Sequence, residues 1–148
     1  MTQKCQDIMT KDPFCCLPSD RAQQVGQIMR DRNVGAIPIC ESPATKKLVG
    51  VVTDRDLTIR VLAEGRDPKN TAVAGVMTGQ VVTCRPEDDV EKAVKLMESR
   101  KVRRIPIVDA QDRIVGIITQ GDIAIRLKDR QKVAEVVIEI SKPGLAAA

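Results

Sequence analysis

The chain has 148 residues, 43% of them hydrophobic, which suits one compact domain or two small halves packed together and exceeds what a disordered chain carries. One Phe is the whole aromatic complement, so the core must be built from Val, Ile, Leu, Met and Ala, and base stacking on aromatic platforms is disfavoured. The 24 basic and 20 acidic residues leave a scattered net charge of +4, and no apolar run approaches the roughly 20 residues that span a bilayer, so neither nucleic acid nor membrane is an expected partner.

The opening stretch, Met1 to Asp7, lacks the apolar core of a signal peptide, and a cytoplasmic location is expected. A segment ending in Met9-Thr10 leads to a small predicted strand at 14–16. Pro18 and Asp20 then open an amphipathic helix whose apolar positions Ala22, Val25, Ile28 and Met29 follow helical spacing. A strand at 36–40 and a polar turn come next, followed by an unbroken apolar run at 48–52 that reads as a strand buried on both faces. A further helix begins near Asp54. Gly65, Pro68 and Asn70 break the helical pattern over 64–71 and mark a linker.

The order strand–helix–strand–strand–helix then returns. A strand at 81–84 precedes a helix carrying Val90, Ala93, Val94 and Met97, a strand at 104–108, an apolar run at 114–118 and a helix from near Gln120. Beyond it, 129–141 reads as an additional helix with Val133, Val136, Val137 and Ile140 on one side, ended by Pro143-Gly144. That small apolar face is expected to pack on this domain or on a second subunit. The fold class is α/β (α+β), organised as 1–66, 67–128 and a C-terminal helix and tail at 129–148.

The two halves are a tandem duplication. At an offset of 68 residues Met9-Thr10 falls on Met77-Thr78, Cys16 on Cys84, Pro18 on Pro86, Asp20 on Asp88, Met29 on Met97, and Ile37-Pro38-Ile39 on Ile105-Pro106-Ile107. After a loop two residues shorter in the second copy, the register resumes at 66: Val49-Gly50 on Val115-Gly116, Thr53 on Thr119, Asp56 on Asp122, Ile59-Arg60 on Ile125-Arg126. Neither half is long enough for a large core alone.

Cysteine usage gives a weaker signal. Cys5, Cys15, Cys16, Cys40 and Cys84 are odd in number and show no CxxC spacing, and the absence of His limits zinc ligation to cysteine or carboxylate sets. Most are expected to be small core residues. Cys15 and Cys16, as strand neighbours, would point to opposite faces, leaving at least one accessible.

Thr53-Asp54-Arg55-Asp56 and Thr119-Gln120-Gly121-Asp122 each stand at a strand-to-helix junction. Thr followed three residues later by an acidic residue is a capping box, and the same groups can bind a sugar, because a carboxylate accepts from both ribose hydroxyls. The duplicated Met-Thr, the Ile-Pro-Ile strand and the Gly-Val-Val-Thr-Asp-Arg-Asp and Gly-Ile-Ile-Thr-Gln-Gly-Asp segments resemble the CBS-domain pair, or Bateman module, over about residues 5–127. The likeness is greatest to small bacterial proteins made of a CBS pair alone, including hypoxia-response types.

The resemblance implies two β-α-β-β-α motifs related by a pseudo-two-fold axis, clefts that bind adenosyl ligands, and association into a homodimer. It assigns ribose binding to Thr53, Asp56, Thr119 and Asp122. Phosphate needs cations, and the resemblance sets Arg104, Arg103 and Lys101, with Lys4, against the Asp56 cleft. Gly35 and Ala36 stand where the second copy has its two arginines, so the Asp122 cleft lacks this clamp and asymmetric occupancy is expected. Val34, Ala36, Pro38, Val102 and Pro106 are the positions expected to shape an adenine slot.

The expected function is a non-enzymatic sensor of an adenine nucleotide, AMP, ADP or ATP, that signals by conformational change to a separate effector protein. No histidine base, serine nucleophile elbow or phosphate-cradling glycine loop is present, and no catalytic cofactor or metal is implied. Two alternatives remain: a dimeric scaffold without ligand, and a cysteine-based redox or metal sensor.

Overall fold

The computed structural model describes residues 3–143, so Gly144, the second half of the expected helix stop, lies outside the described residues. The chain forms two compact units that do not coincide with its two sequence halves. One comprises residues 14–81. The other joins the N-terminal segment up to Pro13 to the chain from Val82 onward.

In the unit of residues 14–81, helix α2 (Ala22–Arg32) precedes an antiparallel pair, β2 (Ala36–Cys40) and β3 (Leu48–Thr53), and a short helix α3 (Asp54–Leu57) that runs on as a π-helical stretch at Thr58–Leu62. Helix α2 ends on Asn33 in the left-handed conformation, φ 54°, and the Val34 N–H reaches back to the Met29 carbonyl at 3.1 Å. Ala22, Val25, Met29, Ile37, Ile39, Val52, Val61, Val73 and Val76 form the core.

The other unit repeats the plan. It begins with helix α1 (Cys5–Ile8) and strand β1 (Thr10–Lys11) and continues with helix α4 (Val90–Arg100), strands β4 (Arg104–Val108) and β5 (Ile114–Thr119), and helices α5 (Gln120–Arg126) and α6 (Arg130–Ser141). Its sheet order is β1-β5-β4, antiparallel throughout. Helix α6 packs on this same unit, with Val136 and Ile140 buried in the core beside α4, while Ile138 is exposed.

The small strands expected at 14–16 and 81–84 are reduced to single parallel bridges, Cys16 to Ile39 and Cys84 to Ile107. Proline explains the truncation. Cys16 N–H donates to the Pro38 carbonyl at 3.0 Å and Cys40 N–H to the Cys16 carbonyl at 2.9 Å. The next rungs would need N–H groups from Pro38 on one side and Pro18 on the other, and proline has none. Pro106 and Pro86 stop the second copy in the same way, around Cys84 N–H to Pro106 O at 3.1 Å and Val108 N–H to Cys84 O at 2.9 Å. The acidic residues before each long helix act one turn early: Asp20 accepts from Leu17 N–H and Asp88 from Arg85 N–H, both at 2.8 Å.

Each Met-Thr segment lies on a glycine. In the 14–81 unit, Thr78 exchanges backbone hydrogen bonds with Val51 at 2.9 and 3.0 Å, and a Cβ at Gly50 would stand 2.6 Å from Met77 Sδ and 2.8 Å from Thr78 O. In the other unit Thr10 pairs with Ile117 in register, and a Cβ at Gly116 would run into Met9 Sδ. Glycine at the third position of each apolar run therefore admits a methionine from the opposite sequence half. This is how the N-terminal segment becomes part of the second unit.

Candidate functional site

Both Thr-x-x-Asp elements are formed capping boxes. Thr53 has extended backbone at the end of β3 (φ −116°, ψ 163°); its Oγ1 accepts from Asp56 N–H at 3.0 Å, and Asp56 Oδ2 accepts from Thr53 N–H at 2.9 Å. At the end of β5, Thr119 Oγ1 accepts from Asp122 N–H at 3.1 Å and Asp122 Oδ2 accepts from Thr119 N–H at 2.9 Å. Thr53, Asp56 and Asp122 are buried polar residues and Thr119 is half-buried. In each box the cap uses a single carboxylate oxygen.

The second oxygen distinguishes the copies. Asp122 Oδ1 accepts from the Thr10 hydroxyl at 3.1 Å. Asp56 Oδ1 has no hydrogen bond among the described residues, its nearest partner being Arg60 Nε at 3.9 Å. Asp56 thus keeps an acceptor oxygen beside a hydroxyl whose proton its cap does not use.

Two arginines, Arg60 and Arg126, were not among the expected site residues. Arg60 donates to the Val76 and Met77 carbonyls at 2.9 and 3.2 Å. Arg126 donates to the Ile8 and Met9 carbonyls at 3.3 and 3.0 Å and stands 3.9 Å from Asp122 Oδ1. Each therefore ties the capping carboxylate of its unit to the Met-Thr segment of that unit. The signal was present in the duplication, where Arg60 and Arg126 coincide, but a matched arginine does not reveal that it holds backbone carbonyls.

The expected phosphate cations divide into two groups. Arg104 begins β4 directly opposite Thr119, with its Nε sealed from solvent, and Arg103 is exposed while its carbonyl accepts from Gln120 N–H at 2.9 Å. Lys101 caps α4 in the left-handed conformation, and its ammonium lies 2.5 Å from Glu139 Oε1 and 3.1 Å from the Glu139 carbonyl. Hydrogen bonds from Lys101 and then Lys142 hold the Glu139 carboxyl below its usual range. Lys4 is exposed and pairs with Asp89 at 2.5 Å. Both lysines are thus engaged by carboxylates of their own unit.

Of the positions expected to shape an adenine slot, Val34 is exposed, Val102 half-buried, and Ala36 half-buried opposite Thr53. Pro38 and Pro106 are buried within β2 and β4. No group of three or more His, Cys, Asp or Glu among the described residues is placed to hold a metal ion, and no helix there is long and apolar enough to cross a membrane.

The chain is 36% identical over 136 residues to the CBS domain-containing protein YhcV of Bacillus subtilis, covering 92% of this chain and 94% of that one. It is 34% identical over 143 residues to hypoxic response protein 1 of Mycobacterium tuberculosis, covering 96% and 97%. Among solved structures, the CBS domain pair of protein MJ0100 in complex with 5′-methylthioadenosine and S-adenosyl-L-methionine aligns at a TM-score of 0.75 and 26% identity, covering 84% of this chain and 94% of that one. The model of the CBS domain matches twice, at residues 5–63 and 73–129: the chain belongs to the CBS-domain family and carries two copies of the domain.

Proposed function

We propose that this protein is a non-enzymatic regulatory module that binds an adenine nucleotide, AMP or ATP, with Asp56 and Thr53 holding the ribose. The observation that carries this reading is the unused Asp56 Oδ1 beside the Thr53 hydroxyl, where the matching Asp122 oxygen is taken by Thr10. A carboxylate oxygen and a hydroxyl so placed are the pair that a vicinal diol needs. The MJ0100 domain pair, which is solved with two adenosyl compounds, supports the ligand class.

Arg104 and Arg103 supply the phosphate charge in this proposal, as the family resemblance implies, with Lys101 and Lys4 contributing only by leaving Glu139 and Asp89. Val34, Ala36, Pro38, Val102 and Pro106 are proposed to border the adenine. Thr119 and Asp122 form a second ribose site that fills after the first, because Thr10 must give up its bond and Gly35 and Ala36 offer no cation. Ligand binding shifts the balance between conformations, a homodimer carries the change, and a separate effector protein in the cytoplasm reads it.

The test is calorimetric titration of nucleotide-stripped protein with AMP and with adenosine. Arg104→Ala should reduce AMP affinity toward that of adenosine and leave adenosine binding unchanged. Equal AMP affinity in wild type and Arg104→Ala contradicts the phosphate assignment.

A further inference from the structure

The two Met-Thr segments hold the same place in their units, yet their threonine hydroxyls differ in what they bind. The Thr10 hydroxyl donates to Asp122 Oδ1 at 3.1 Å, with Oδ2 at 3.4 Å. Thr78 stands at the matching position, bridged to Val51 as Thr10 is paired with Ile117, but its hydroxyl makes no hydrogen bond among the described residues.

The chain just beyond each threonine accounts for the difference. Thr10 begins a strand: Lys11 stands opposite Gly116, and Asp12 N–H donates to the Val115 carbonyl at 3.2 Å. Thr78 makes one isolated bridge, and Gly79 follows it. Glycine has the most backbone freedom to lose, so a further rung is harder to hold there. Thr10 is thus the more firmly fixed of the two.

Thr119 adds to the contrast. Its hydroxyl accepts from Asp122 N–H and gives its own proton to Asp122 Oδ2, both at 3.1 Å. At the Asp122 junction both carboxylate oxygens and the cap hydroxyl are therefore spent within the protein. At the Asp56 junction the Oδ1 oxygen and the Thr53 proton are not. The acceptor that a sugar hydroxyl would use on Asp56 is used on Asp122 by a hydroxyl of the chain itself.

We propose that Thr10 is a built-in competitor for the Asp122 site, its hydroxyl taking the place of a ligand's sugar hydroxyl and so setting the order in which the two sites fill. The inference rests on the reading of both Thr-x-x-Asp elements as ribose sites. Thr10 is exposed, so its bond opens by side-chain rotation without unpacking the core. A ligand at Asp122 must first break this hydrogen bond to a carboxylate, which lowers its affinity about tenfold to a hundredfold. Gly35 and Ala36, where arginines stand in the other copy, handicap only ligands that carry a phosphate. The competitor handicaps every ribose. Adenosine therefore separates the two causes.

The test is calorimetric titration of adenosine into the nucleotide-stripped full chain, as wild type and as Thr10→Val. Wild type should bind one adenosine per chain about tenfold or more tightly than a second. Thr10→Val should bind two with similar affinity, the weaker site having risen while the tighter one is unchanged. Thr10→Ala should behave likewise, Thr10→Ser should restore the wild-type gap, and adding Asp122→Asn to Thr10→Val should abolish the gain. A threonine with a structural role alone would give no gain, since its loss would leave the weaker site unchanged or weaken it further. Two equal adenosine sites in wild type, or a weaker site no tighter in Thr10→Val and Thr10→Ala, overturns the role of Thr10 and leaves the ribose reading standing. Adenosine binding by none of these proteins overturns both.

Discussion

Replacing Gly50 by alanine tests the packing that delivers each Met-Thr segment to its strand. The added Cβ would stand 2.6 Å from Met77 Sδ and 2.8 Å from Thr78 O. The sulfur ends a flexible side chain and can swing away. The carbonyl cannot, because it accepts from Val51 N–H at 3.0 Å while Thr78 N–H donates to Val51 O at 2.9 Å. Overpacking costs about 1–3 kcal/mol, and weakening the two backbone bonds adds about 1 kcal/mol, for a total of about 2–4 kcal/mol. For a chain of this length that lowers the melting temperature by roughly 5–15 °C. Circular dichroism melts of Gly50→Ala and of Gly79→Ala decide the matter, since the nearest atom to a Cβ at Gly79 is Val49 O at 4.0 Å. A Gly50→Ala melt within a degree of wild type, or an equal loss in Gly79→Ala, refutes the packing argument.

Further outcomes follow from the site. Thr53→Ala removes the acceptor of Asp56 N–H and should cost about 1 kcal/mol in urea unfolding, with Thr53→Ser restoring most of it. Arg60→Met keeps the stem but frees the Val76 and Met77 carbonyls; because Arg60 is half-exposed, the expected loss is about 1 kcal/mol, and unchanged stability would show that the clamp is idle. The Asp88 carboxyl is held below 3.8, chiefly by the Arg85 N–H, with Lys92 assisting against partial desolvation. A depressed carboxylate stabilises the fold above its unfolded value, and that contribution disappears as pH falls through the folded one. Acid titration of stability should therefore fall less steeply below about pH 4 in Asp88→Asn than in wild type.

The duplication, the long elements and the two Thr-x-x-Asp junctions were legible because each rests on local pattern: period, cap chemistry and repeated identity. The strands at 14–16 and 81–84 were overextended, since their length depends on Pro38 and Pro106 in a different strand, which no local window reveals. The membership of the first thirteen residues in the second unit was equally hidden. Hydrophobic pattern says that Met9 is buried but not on which copy's strand, and the steric need for Gly116 appears only once the two meet. Lys101 and Lys4 read as cations free for phosphate because Glu139 and Asp89 are distant in sequence and close only in the fold.

The central claim is that Asp56, and not its counterpart, receives the nucleotide first. Its most direct test is equilibrium binding of AMP to nucleotide-stripped wild type, Asp56→Asn and Asp122→Asn, since asparagine keeps an oxygen for each capping box. The account predicts that Asp56→Asn weakens the tighter site at least tenfold while Asp122→Asn leaves it unchanged. No measurable AMP binding by wild type, or equal loss in both variants, contradicts it.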